Sequence, residues 1–296
     1  MKIGKLFHLT PLVDDLSAAE FFLVGLFSPI CVYRDYSPHW HRDASILIVA
    51  DTVIEPMQPY PPAAGQKGTS WFRYIDKFGP RVHNLAFYVE DAPALAERLT
   101  GAGVAITDGG VSGNIFTYPK STAPMLEFFE PSEHRPTDPR FGPNWRAFCD
   151  DYWRDGQPLG LRRLSHLTVV VADHRATARF YVEVLDSVEL PAQPSSVEGA
   201  EASFVMVGED TIVELAQPVA DDCPIRSDLE VVGECVTGAT FTVRDIETVA
   251  ARLSYAQRMP AWTRTDRRID FDRASTWNCQ YTLSEHTLAG DPRTSV

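Results

Sequence analysis

One phrase recurs four times in this chain, and a fourfold repeat narrows the possible folds more than any single motif. Lys5-Leu-Phe-His8-Leu-Thr-Pro-Leu-Val-Asp14 reads as a strand with one histidine near its start, closed by an acid able to cap a helix. The phrase returns in the runs that begin at Gly79 and end at Asp91, that begin at Leu164 and end at Asp173, and that begin at Cys235 and end at Asp245. Three copies carry a histidine (His8, His83, His166), and the fourth offers Thr237. A chain that repeats itself in this way builds like modules and stacks them, because one copy cannot bury its own apolar face.

Within each copy the periodicity changes from two to 3.6 and back. Helices are expected over residues 16–26, 92–99 and 176–185. Closing hairpins are expected over 45–58, 114–130 and 202–218, turning at Ala50-Asp51 in the first and at Gly208-Glu209 in the third. The order is β-α-β-β-β, and the short run 71–77 reads as a helix delivering the chain to the second copy. The expected fold class is α+β: four modules paired into two cupped-sheet domains, residues 1–134 and 161–296. Residues 135–160 form a proline-rich linker in which Trp145 and Trp153 pack against one half.

With 44% hydrophobic residues the chain can bury a substantial core, and its net charge of −13 argues against a nucleic-acid or anionic-membrane surface. Five cysteines without a Cys-x-x-Cys pair give neither a disulfide framework nor a zinc knuckle, so a reducing cytoplasm is the expected setting. The apolar run 21–27 is too short to cross a bilayer and fits the buried side of a helix.

Chemistry enters through the closing strands. Side chains two apart share a face, which places Glu55 with Val53 and Met57, and Glu127 with Met125 and Phe129. Glu130 falls on the opposite face. A lone carboxylate among apolar neighbours is costly, and a cation relieves it. One histidine and one glutamate from each of two modules give a convergent set, His8, Glu55, His83 and Glu127, suited to one divalent ion among zinc, nickel, cobalt, manganese and iron. The second half keeps His166 and Glu214 but has Thr237 and no acid in its last strand, so it reads as structural or substrate-binding. His39 and His41, flanking Trp40 in a loop, are candidate substrate contacts.

Paired β-α-β-β-β modules with these residues resemble the vicinal oxygen chelate superfamily, which includes glyoxalase I, methylmalonyl-CoA epimerase, extradiol dioxygenases and bleomycin- or fosfomycin-resistance proteins. The passages that carry the likeness are residues 79–87, 118–127 and 166–185. The resemblance implies a metal inside each functional cup, with His8, Glu55, His83 and Glu127 matching the His-Glu-His-Glu set of bacterial glyoxalase I. It also implies a small-molecule substrate, and a homodimer is compatible with it. Under this reading the metal holds two vicinal oxygens of a carbonyl compound while Glu127, with Glu55 second, moves a proton. The chain departs from the epimerase in lacking an acid near Ala44-Ser45-Ile46, and it has no recognisable glutathione-binding set. Two alternatives stay open: an iron dioxygenase using His8, His83 and Glu127, and a non-catalytic binding or resistance protein.

Overall fold

The computed structural model describes residues 2–108, 114–131, 152–153, 156–256 and 259–295. Its first module runs β1 (Ile3–Leu12), α1 (Leu16–Phe27), β2 (Ile30–Ser37), β3 (Arg42–Val49), β4 (Thr52–Ile54) and β5 (Met57–Pro59). Helix α2 (Ser70–Phe78) leads to the second module: β6 (Arg81–Val89), α3 (Ala92–Gly101), β7 (Ile106–Asp108), β8 (Ile115–Thr117), the short α4 (Pro119–Thr122) and β9 (Met125–Phe129). The third has β10 (Leu161–Val170), α5 (His174–Leu185), β11 (Val188–Glu189), β12 (Ala200–Val207) and β13 (Thr211–Pro218). After α6 (Arg226–Val231), the fourth has β14 (Cys235–Val243), α7 (Ile246–Tyr255), β15 (Trp262–Thr265), β16 (Arg268–Phe271) and β17 (Gln280–Ser284). The expected modular order holds, although the first hairpin's return strand is broken at Glu55-Pro56, where proline has no N–H for the ladder.

Each half is one mixed sheet with the opening strands of its two modules side by side and antiparallel at the centre, β1 with β6 and β10 with β14. Each opening strand also pairs in parallel with the closing strand of its own module.

A capping device is repeated in all four modules. Asp15, Asp91, Asp173 and Asp245 accept from the first-turn amides of α1, α3, α5 and α7. The first amide of each helix donates to a side chain three residues beyond the acid position of the closing strand. These pairs are Leu16 with Gln58, Ala92 with Glu130, His174 with Gln217 and Ile246 with Glu285. Helix starts leave such amides without intrahelical partners, so this bond ties each helix to its sheet.

The outer faces of the two sheets meet through a shared apolar core. Helix α1 packs on the second sheet: Phe22 makes edge contacts with Phe271, Trp277 and Tyr281, and Phe27 lies 4.9 Å from Phe241 between ring centres. From the third module, the Tyr181 hydroxyl donates to the Ala123 carbonyl. Trp153 is buried in the same core, as expected, whereas Trp145 lies outside the described residues. Among the described residues no helix is long and apolar enough to cross a membrane.

Candidate functional site

Burying Leu6 and Leu9 of β1, and Leu85 and Phe87 of β6, against the helices leaves the other face of the first sheet turned into its cup. The central pairing is locally two-fold: Leu9 faces Leu85, His8 faces Ala86, and Thr10 faces Asn84. Under that symmetry the counterpart of His8 is Asn84. His83 is the extra residue of a β-bulge, since the register passes from Thr10–Asn84 to Pro11–Val82. Phe7 holds the matching bulge on β1, where Leu6–Phe87 gives way to His8–Ala86.

The closing strands add the acids. Ala86 lies beside Glu127, and Leu9 beside Ile54, which brings Glu55 to the level of Thr10. His8, Glu55, His83 and Glu127 are all buried. His8 Nδ1 lies 2.8 Å from the Thr10 hydroxyl and 3.1 Å from Glu55 Oε2, and the Arg42 guanidinium donates to Glu55 Oε1 at 3.0 Å. Arg42 is held above its usual pKa: burial works to lower it, but the charges of Glu55 and Asp35 and the bond to Glu55 outweigh burial. Its Nε is a buried donor with no hydrogen-bond partner among the described residues.

Glu127 is held differently. It accepts from the carboxamide of Asn84 at 2.9 Å and from that of Asn114. A carboxylate only accepts, so the Asn84 amide nitrogen must face Glu127 and its oxygen must face His83 Nδ1, 2.9 Å away. That arrangement places the His83 proton on Nδ1. Burial drives the His83 pKa down to about 4, against a smaller upward pull from Asn84, and the neutral ring lies edge-on to Tyr74 of α2.

The expected ligand set is therefore only partly assembled. His8 meets Glu55, and His83 is linked to Glu127 through Asn84. No three His, Cys, Asp or Glu residues among those described form a group able to hold a metal. The donor chemistry explains why: the second histidine position carries a carboxamide that offers nitrogen to Glu127, and a guanidinium already neutralises Glu55. The residues present do not fit the metal centre that the spacing suggested. Glu130 leaves the cup to cap α3, as its parity requires. His39 and His41 are exposed on the turn between β2 and β3. Among the described residues no hydrogen bond joins their side chains to the buried cluster.

Sequence reasoning missed Asn84, Arg42 and Asn114. Aligning the openings on their core residue (Leu9, Leu85, Leu167, Ala239) instead of on histidine would have placed Asn84 opposite His8. The same register corrects the fourth module, where Gly238, not Thr237, is the counterpart of His166, and Thr282 takes the acid's place. A Cβ on Gly238 would lie 3.3 Å from the Gln280 carbonyl oxygen and 3.4 Å from Thr168, leaving no room there for a larger side chain without a shift.

With Gly238 and Thr282 at two corners, the second cup encloses a cavity of about 420 Å³ lined by Thr168, Thr237, Thr240, Thr282, Arg268 and Asp270, among others. Glu214 lies outside that lining, under the loop before β12. It accepts from the Thr168 hydroxyl at 2.8 Å, the Ser195 hydroxyl at 2.7 Å, the Ser196 amide at 2.6 Å and the Ser196 hydroxyl. His166 Nε2 stands 3.5 Å from it, at ion-pair distance, and has no hydrogen-bond partner among the described residues.

No protein-family model and no curated protein matches the sequence. Solved structures do match in fold. A mutant of 4-hydroxymandelate synthase from Streptomyces coelicolor is 16% identical, with a TM-score of 0.66 over 97% of this chain and 94% of that one. An extradiol ring-cleaving dioxygenase from B. fuscum is 15% identical, with a TM-score of 0.61 over 98% of this chain and 74% of that one. A xylose isomerase-like TIM barrel/4-hydroxyphenylpyruvate dioxygenase fusion protein is 14% identical, with a TM-score of 0.61 over all of this chain and 51% of its own length. The chain has the tandem cupped-sheet fold of the vicinal oxygen chelate proteins.

Proposed function

We propose that this chain is an enzyme acting on a small carbonyl compound, with redox-neutral proton transfer in its N-terminal cup as the chemistry. The observation that supports it most is the His8–Glu55–Arg42 array, ionisable groups buried on one face of a sheet that packing alone would fill with apolar side chains. Desolvating such groups is costly, and sites of chemistry are where proteins accept that cost. Glu127 is the proposed proton-transferring base, its orientation set by two carboxamide donors. The His8–Glu55 pair is the proposed partner group, with the Glu55 carboxylate orienting the imidazole. The Arg42 Nε–H, without a hydrogen-bond partner among the described residues, supplies a donor for the oxygen that gains charge as the proton leaves carbon.

Proton NMR in deuterium oxide, run across small 2-hydroxy and 2-keto carbonyl compounds, tests this reading. The expected result is protein-dependent exchange of the C–H beside the carbonyl, lowered at least 100-fold by Glu127→Gln. Stoichiometric oxygen uptake on catechols or aryl keto acids would overturn it in favour of the dioxygenase alternative, which the names of the full-length structural neighbours keep in view.

A second reading concerns the second cup. Its threonine-lined cavity is within the range for a small ligand and supports binding of a compact hydroxylated molecule without chemistry there.

A further inference from the structure

The fourth corner of the N-terminal cup carries an inference that does not depend on the reaction type. We infer that this cup is a metal-independent site, in which Arg42 supplies the positive charge and the Asn84 carboxamide takes the corner of a fourth ligand. Three observations join here. The local two-fold axis through Leu9 and Leu85 makes Asn84 the mate of His8. The Asn84 carboxamide is locked at both ends, oxygen to His83 Nδ1 and nitrogen to Glu127, so it presents a donor where a metal needs an acceptor. The Arg42 guanidinium lies 3.0 Å from Glu55 and 3.5 Å from Asp35, so a dication entering beside Glu55 would meet a fixed cation.

The surroundings of Arg42 make it a built feature. Its guanidinium carbon lies 5.7 Å from the centre of the Trp71 ring of α2. Tyr74, one turn further along that helix, packs edge-on against His83. Helix α2 therefore braces both the cation and the histidine that anchors Asn84. Arginine stays charged at any working pH, so this charge cannot be chelated away and does not vary with metal supply.

Isothermal titration of the metal-stripped full chain with zinc, nickel, cobalt and manganese chlorides tests the inference, with circular dichroism to check each variant's fold. The wild-type chain is expected to show no one-to-one uptake that depends on His8 or Glu127. Asn84→His combined with Arg42→Met removes both obstacles, completes a His-Glu-His-Glu square and should gain one site at least 100-fold tighter than any binding by the wild type. Should that variant fail to fold, the near-isosteric Asn84→Asp, again with Arg42→Met, carries the same test by turning the donor into an acceptor. One equivalent of metal on the wild type, lost in both His8→Ala and Glu127→Gln, would overturn the inference. A folded chain carrying both substitutions with no gain in affinity would overturn it too. Because the readout is metal affinity, failure here is distinct from failure of the proton-transfer reading, which rests on isotope exchange.

Discussion

Replacing Glu214 with glutamine tests whether the second half keeps its acid for architecture. The carboxylate is fully buried, and burial works to raise its pKa. The neighbouring His166 ring and the bonds from Ser196 and Ser195 outweigh that and bring it down to about 2. A carboxyl near 2 in the fold and near 4.5 in the unfolded chain is worth about 3 kcal/mol at pH 7. Its pKa is depressed on folding, so the contribution is complete above about pH 4.5 and is lost as pH falls toward 2. Glutamine keeps the shape and one acceptor but turns an amide N–H₂ toward groups that also donate. The variant should therefore lose about 3 kcal/mol of unfolding free energy at pH 7, and only about 1 kcal/mol at pH 3. Urea titrations followed by tryptophan fluorescence at the two pH values measure both numbers. A variant within 0.5 kcal/mol of the wild type at pH 7, or a deficit that grows toward pH 3, would refute the structural account of this residue (a threshold on the order of the error of such titrations).

Three further outcomes follow from the packing and the caps. Phe27→Ala removes a fully buried ring between α1 and the second sheet and should cost about 3–5 kcal/mol. Because that core is shared, calorimetry should show one transition at lower temperature, and two separated transitions would contradict the packing. Asp51 is half-buried where it accepts from the Leu164 amide, and desolvation of its carboxyl raises its pKa to about 6 despite that bond. The folded state then holds the proton more tightly, so up to about 3 kcal/mol is lost as pH rises from 4 to 6. Subtracting the melting profile of Asp51→Asn from that of the wild type should isolate this fall, and a flat difference curve would contradict it. Glu130→Gln weakens only the cap of α3, about 0.5–1 kcal/mol, and should leave isotope exchange within two-fold of wild type, in contrast to Glu127→Gln.

The repeat made the fold legible, because apolar period and capping acids are local and each was written four times. The side chains that tie helix to sheet were equally present in the sequence: Gln58, Glu130, Gln217 and Glu285 stand at constant spacing from the acid position. The site was legible in its acids and less so in its histidines, and the bulges explain the difference. Parity along β9 is unbroken, so Glu127 and Glu130 fall on opposite faces as counted. The opening strands carry an extra residue beside the ligand corner, and a bulge shifts every residue on one side of it by one place. Reading from the histidine therefore aligned His83 with His8, whereas the buried anchors Leu9 and Leu85 align Asn84 with it. Arg42 was out of reach for another reason. Its meeting with Glu55 depends on β3 folding back across the broken strand at Pro56, a contact between residues that share no period. In a repeat of this kind the residues that packing holds in place are the safer rulers, and a functional side chain is best located by its distance from them.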